Sequence, residues 1–132
     1  MNRFYGWMDS MRPLVLSLLR IVTALVFLQY GLSKAFGFPD HGPPSLTALL
    51  IVATVLEIVG SVMLVLGAYT RIVAFILSGE MAVAYFMAHA PQSFYPIVNG
   101  GNAAILFCLV FLYLAFAGGG PLSLDRIVLK QK

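Results

Sequence analysis

Three apolar stretches of this 132-residue chain, residues 13–32, 46–67 and 71–90, each carry one ionisable side chain near the middle: Arg20, Glu57 and Glu80. Each stretch is about twenty residues long, the length a helix needs to cross roughly 30 Å of hydrocarbon. A charge at that depth costs about 2.5 kcal/mol or more even on the mildest insertion scales. Such a charge is tolerated where it faces the protein interior and meets a partner. An intramembrane charge cluster is therefore the first candidate site.

A fourth apolar run covers residues 101–117, close to the lower limit for a spanning helix. Asn99 and Gly100 precede it, and Gly118-Gly119-Gly120-Pro121 closes it. Helix breakers also mark the other connections. Residues 37–45 hold three prolines and two glycines, and Pro91 and Pro96 bracket the third loop. Only Gly67 to Thr70 separates the second and third runs, which predicts a tight antiparallel hairpin. The pattern reads as an all-α membrane protein, a four-transmembrane-helix antiparallel bundle in one domain over residues 1–132. Composition agrees: 61% of residues are hydrophobic and 10% charged, against a usual charged share of about 25%. The first run is too long for a signal peptide, is interrupted by Arg20 and lacks a small-residue cleavage site.

Several chemistries are excluded. Cys108 is the single cysteine, so the chain has no disulfide, redox pair or thiolate metal site of its own, and it reads as a small buried hydrophobe. The two histidines, His41 and His89, have no clustered carboxylates to make a metal site with them. Phosphate loops, nucleophile elbows and basic–aromatic patches for nucleic acid are absent as well.

Lysine and arginine set the expected orientation. Arg3, Arg12, Arg71, Arg126, Lys130 and Lys132 fall on one side, against Lys34 alone on the other, which predicts cytoplasmic termini in a bacterial inner (plasma) membrane. Counted from the cytoplasmic ends of the apolar runs, Arg20, Glu57 and Glu80 all come out roughly 12–15 Å deep, on one level. Ser17, Arg20, Thr23, Ala24, Gly31 and Lys34 share one face of the first helix. Ala53, Thr54, Glu57, Gly60 and Ser61 share one face of the second. Small and hydroxyl residues around a charge suit close helix packing in lipid. Two readings stand side by side: Arg20 neutralises the glutamates and ties the bundle together, or one carboxyl holds an exchangeable proton.

A second polar group gathers at the outer helix ends. Gln29, Tyr30 and Lys34 close the first helix, Phe86 and His89 the third, and Asn99 and Asn102 open the fourth. These residues are candidates for a quinone-like headgroup site at the interface, with ordinary interfacial solvation as the plainer reading. His89 lies nine residues after Glu80, half a turn around an α-helix, so the two are not expected to share one face.

The chain resembles the DoxX family of small four-helix membrane proteins (DoxD/DoxX-like) over nearly its full length. The likeness is carried by Gly31-Leu32-Ser33-Lys34 with Phe36, and by Glu57-Ile58-Val59-Gly60 followed by Gly67 and Thr70-Arg71. Gly79-Glu80-Met81-Ala82-Val83-Ala84-Tyr85-Phe86, then His89-Ala90-Pro91, Asn99-Gly100-Gly101 and a late Ser123-Leu124-Asp125, complete it. Many relatives have Glu directly after Asn-Gly-Gly, where this chain has Asn102, so a carboxylate role there does not transfer. The resemblance implies a membrane component of a quinone-linked redox or detoxification system. Its expected partners are the lipid bilayer, a quinone, and a redox partner protein or a second copy, with no covalently bound cofactor. The rival readings are a homo-oligomeric small-solute or proton permease and a non-catalytic scaffold.

Overall fold

A computed structural model describes residues 1–36 and 47–130, and all regular structure among them is helical. In chain order α1 is Asn2–Phe36, α2 Ala48–Leu66 and α3 Thr70–Ala84, continued by a π-helical turn, Tyr85–His89, and a 3-10 turn, Ala90–Gln92. Then come the short α4 (Pro96–Asn99), α5 (Asn102–Ala117) and the short α6 (Leu124–Ile127). Three helical segments are long and apolar enough to cross a membrane: Asn2–Ser33, Ala48–Leu66 and Thr70–Gln92. The fourth apolar helix, α5, has 16 residues and falls below that length.

Local chemistry explains most of the boundaries. Thr47 caps α2 by accepting from the Leu50 N–H at 3.3 Å. Gly67, at φ 72°, closes it in a Schellman motif, with the Ala68 N–H on the Met63 carbonyl at 2.9 Å and the Gly67 N–H on Leu64 at 3.1 Å. The start of α1 differs from the sequence expectation. It begins at Asn2 rather than near residue 13 and runs through Pro13, so it is about 52 Å long.

The heaviest packing pairs α1 with α2 and α3 with α5, while α2 and α3 share a lighter seam and α1 and α5 a lighter one still. Small residues make the close approaches. A Cβ on Gly31 would stand 3.2 Å from the Glu57 Cβ, and one on Gly60 would stand 2.9 Å from a Leu77 methyl. Ser78 donates across the α3–α5 seam to the Cys108 carbonyl at 2.8 Å. Ala24, Phe27, Leu64, Ala74, Leu77, Phe111 and Leu114 form the centre of the core.

At the end of the bundle where both termini lie, the chain after α5 folds back under the helices. Arg20 is fully buried there. It donates to the Gly119 carbonyl, to Leu122 at 2.7 Å and to Val65 at 3.5 Å, the last on the open end of α2. Ser17 accepts from the Leu122 N–H at 3.2 Å and donates to the Gly119 carbonyl at 3.3 Å. Asp125 grips the start of α3, accepting from the Tyr69 and Thr70 N–H groups at 2.6 and 2.8 Å. Its own N–H returns to the Gly67 carbonyl at 2.9 Å. Arg71 covers the far end of α5, donating to Phe116 at 2.5 Å. Gly120 has φ 83°, and a Cβ there would strike Ser17 Oγ, so glycine is required twice over at that position.

Two outcomes test this clamp. Gly120→Ala should destabilise the protein by about 1–3 kcal/mol from backbone strain alone, read as a lower melting temperature in detergent. Arg20→Ala should cost about 1–3 kcal/mol for each carbonyl left bare. Its effect should add to that of Glu57→Gln but not to that of Asp125→Asn.

Candidate functional site

The constancy of helix register locates the two glutamates. Gly60 of α2 packs on Leu77 of antiparallel α3, so stepping one turn from each brings Glu57 level with Glu80. Gly31 of α1 packs on Glu57 and fixes the same level on the first helix. Arg20 precedes Gly31 by eleven residues, which is about 16 Å along α1. The expected three-charge cluster is thus divided. The glutamates face a common space, and Arg20 serves the clamp, where its partners are the Gly119, Leu122 and Val65 carbonyls. Depth counted from residue 13 failed because α1 and α2 are not flush at that end.

Glu57 is buried and Glu80 half-buried, and Oε1 of each is shut off from solvent. Both line a cavity of about 430 Å³ toward the loop end of the bundle. Every main helix contributes a wall: Phe27 and Tyr30 from α1, Leu50 and Ala53 from α2, Met81 and Ala84 from α3, Ala104 and Phe107 from α5. Ring packing stiffens one side, with Phe27 and Phe107 centroids 5.0 Å apart and Tyr30 edge-on to Phe107 at 5.7 Å. The rim includes the exposed Leu49, Val83 and Met87, so the cavity opens between α2 and α3.

His89 also lines this cavity, against the expectation from an ideal helix. The cause is the π-helical turn Tyr85–His89, closed by the Ala90 N–H on the Tyr85 carbonyl. A π turn holds about one residue more than an α turn, which rotates the residues beyond it back by roughly 100°. The half-turn offset between Glu80 and His89 shrinks accordingly, and both side chains reach the same space. His89 Nδ1 lies 3.0 Å from the Asn99 carbonyl oxygen. A carbonyl only accepts, so Nδ1 carries the hydrogen, and neutral His89 keeps its lone pair on Nε2. Five-residue turns leave no periodic mark in a single sequence, which is why this arrangement was not legible there.

The remaining candidates divide by place. Tyr30 is on the cavity wall. Asn99 is buried but consumed by the loop: its amide donates to Ser93 at 2.9 Å and to the Tyr85 hydroxyl at 3.1 Å, and its Oδ1 accepts from the Gly101 N–H at 2.8 Å. Gln29, Phe86 and Asn102 are exposed and stand outside the cavity lining, Phe86 packing edge-on against Tyr85. Lys34 belongs to α1 one turn past Gly31; its side chain, like the whole of His41, lies outside the described residues. The aromatic wall of Phe27 and Phe107 was not among the sequence candidates, because apolar residues in apolar helices carry no distinguishing signal.

The DoxX family model matches residues 15–90 of the chain. A Haemophilus influenzae protein named only "Uncharacterized protein" is 44% identical over 135 residues, covering 94% of this chain and 98% of the relative. The Bacillus subtilis protein named "Putative oxidoreductase CatD" is 33% identical over 122 residues, covering 87% of each. The Escherichia coli "Inner membrane protein YphA" is 28% identical over 127 residues, covering 87% of this chain and 91% of that protein. No solved structure matches. The chain belongs to the DoxX family and is a multi-pass membrane protein.

The division of the two asparagines gives a direct test. Asn99→Ala strips three partners at once and should cost about 1–3 kcal/mol per bared group, whereas Asn102→Ala should stay within about 0.5 kcal/mol. Thermal melts of the two variants in the same detergent separate these outcomes.

Proposed function

We propose that this DoxX-family protein binds a quinone or quinol headgroup from the bilayer in the cavity between Glu57, Glu80 and His89, as the membrane component of a redox system. The observation that carries the reading is the cavity's chemistry. Its walls are apolar and aromatic, and its polar lining among the described residues includes the carboxyls of Glu57 and Glu80, the His89 imidazole and Tyr30. A quinol presents two hydroxyl donors on a flat ring. On oxidation it gives up two protons and two electrons. Carboxylate and imidazole can accept those protons, while the electrons pass to an oxidant outside this chain. The opening between α2 and α3 suits a ligand that arrives sideways through lipid. The name of the Bacillus subtilis relative as an oxidoreductase supports the reaction class.

Among the described residues, carboxyl and imidazole groups suit a neutral quinol, whose hydroxyls donate hydrogen bonds. Passage of a solute through the monomer fits less well. On the terminal side of the cavity the interior is filled by the buried Gly60, Ser61, Leu64, Ala74 and Leu77. The proposal takes α5 as the fourth span, with both termini cytoplasmic in the inner membrane according to the six-to-one basic asymmetry.

Equilibrium binding of a short-chain quinol to the purified protein tests the site. Glu80→Gln and His89→Ala should each weaken binding about ten- to a hundredfold, the worth of a hydrogen bond to a charged group. Gln29→Ala and Lys130→Ala should leave it unchanged, and equal affinities across all four would reject the site. Orientation is tested separately in a Cys108→Ser background. Gln92→Cys should react with an impermeant thiol reagent on intact cells, and Lys130→Cys should react only after lysis.

A further inference from the structure

We infer that residues 2–12 form a hinged interfacial helix, which swings at Pro13 to lie on anionic phospholipid headgroups. Among the described residues nothing outside this segment holds it: every residue from 1 to 10 is exposed, and Phe4, Tyr5, Trp7 and Met8 are 48–59% exposed. The bundle ends at Pro13, whose carbonyl faces the Gly120 position of the returning tail. At about 52 Å, α1 exceeds the roughly 30 Å of hydrocarbon, and the excess lies at this end.

Helical phase indicates where the excess goes. At about 100° per residue, Phe4, Trp7, Met8, Met11, Val15 and Leu18 stay within roughly 60° of one line along α1. Pro13, Ser17, Arg20, Ala24 and Gly31 follow the opposite line, and the last four of these are buried against the bundle. The apolar face of residues 2–12 is therefore continuous with the lipid-facing side of the span. A bend toward that side turns the face down onto the membrane surface.

Pro13 supplies such a bend. It has no N–H for the carbonyl of Asp9, and its ring crowds that carbonyl on the bundle-facing side. The crowded side opens and the opposite side closes, which tips residues 2–12 toward lipid. Arg3 and Arg12 then flank the apolar face at about 100° and 80° from its centre, where the side chain of Arg3 is long enough to reach headgroup phosphates. Asp9, Asn2 and Gly6 are left pointing to water, with Asp9 paired to Arg12 at 2.5 Å. Aromatic residues with flanking arginines match an interfacial helix on an anionic surface.

Trp7 is the chain's one tryptophan and so reports on this segment alone. The full-length protein is placed, at one and at two copies per disc, in lipid nanodiscs of phosphatidylcholine with or without phosphatidylglycerol. In the anionic discs Trp7 emission should be blue-shifted, quenched by lipids brominated on the acyl chain and shielded from acrylamide. Arg3→Ala should lower the surface-bound to free ratio about fivefold in anionic discs and much less in neutral ones. Pro13→Ala should return Trp7 to a water-like emission while the melting temperature holds or rises. The inference is overturned if Trp7 is water-exposed in anionic discs, if Pro13→Ala leaves it shielded, or if shielding appears only in discs holding two copies.

Discussion

A guanidinium carries five donors and no acceptor, and a turn inside an apolar bundle presents carbonyls with no water to meet them. Each is untenable there alone. In this protein the terminal nitrogens of Arg20 meet the turn after α5, through the carbonyls of Gly119 and Leu122, with Val65 as a third acceptor. The glycines let the backbone come that close, and Asp125 carries the returning chain on to the start of α3. Four segments distant in sequence are thereby tied at one end: α1, the end of α2, the start of α3 and the tail.

The asymmetry of the bundle follows from that knot. Because α5 stops at Ala117 and the chain turns back, the terminal end is filled with hydrogen-bonded backbone and small residues. The loop end has no comparable filling among the described residues. There the helices separate around a cavity bounded by the glutamates and the Phe27, Tyr30 and Phe107 rings. A rigid closed end and an open, partly polar end suit a protein that receives a ligand from one side. The π turn belongs to the same logic, since it brings His89 onto the open end at the cost of regular helix bonding.

How far the site was legible depended on the kind of signal each residue leaves. Glu57 and Glu80 stand out in any apolar run, and the packing of Gly60 on Leu77 sets them on one level. Arg20 stands out equally, yet its partners are backbone carbonyls, which every residue has and no sequence pattern distinguishes. Asn99 looks like a ligand group but is occupied by Ser93, Tyr85 and Gly101. Resemblance had marked Ser123-Leu124-Asp125, and the structure supplies its physical content: Ser123 accepts from the Arg126 N–H at the start of α6, and Asp125 caps α3.

By itself the sequence determined the solvent, the helices and their breaks. Hydrophobicity over about twenty residues, interrupted by Gly and Pro, admits few other structures in lipid. It also determined that charges inside those helices need partners. Which partners they have was decided only in three dimensions. Helix start and stagger set whether two side chains share a level, and α1 began eleven residues earlier than its apolar run. Helix winding sets which face a residue occupies, and a single π turn moved His89 to the face of Glu80. Both are properties of how neighbouring helices accommodate one another, so they enter with packing and not before.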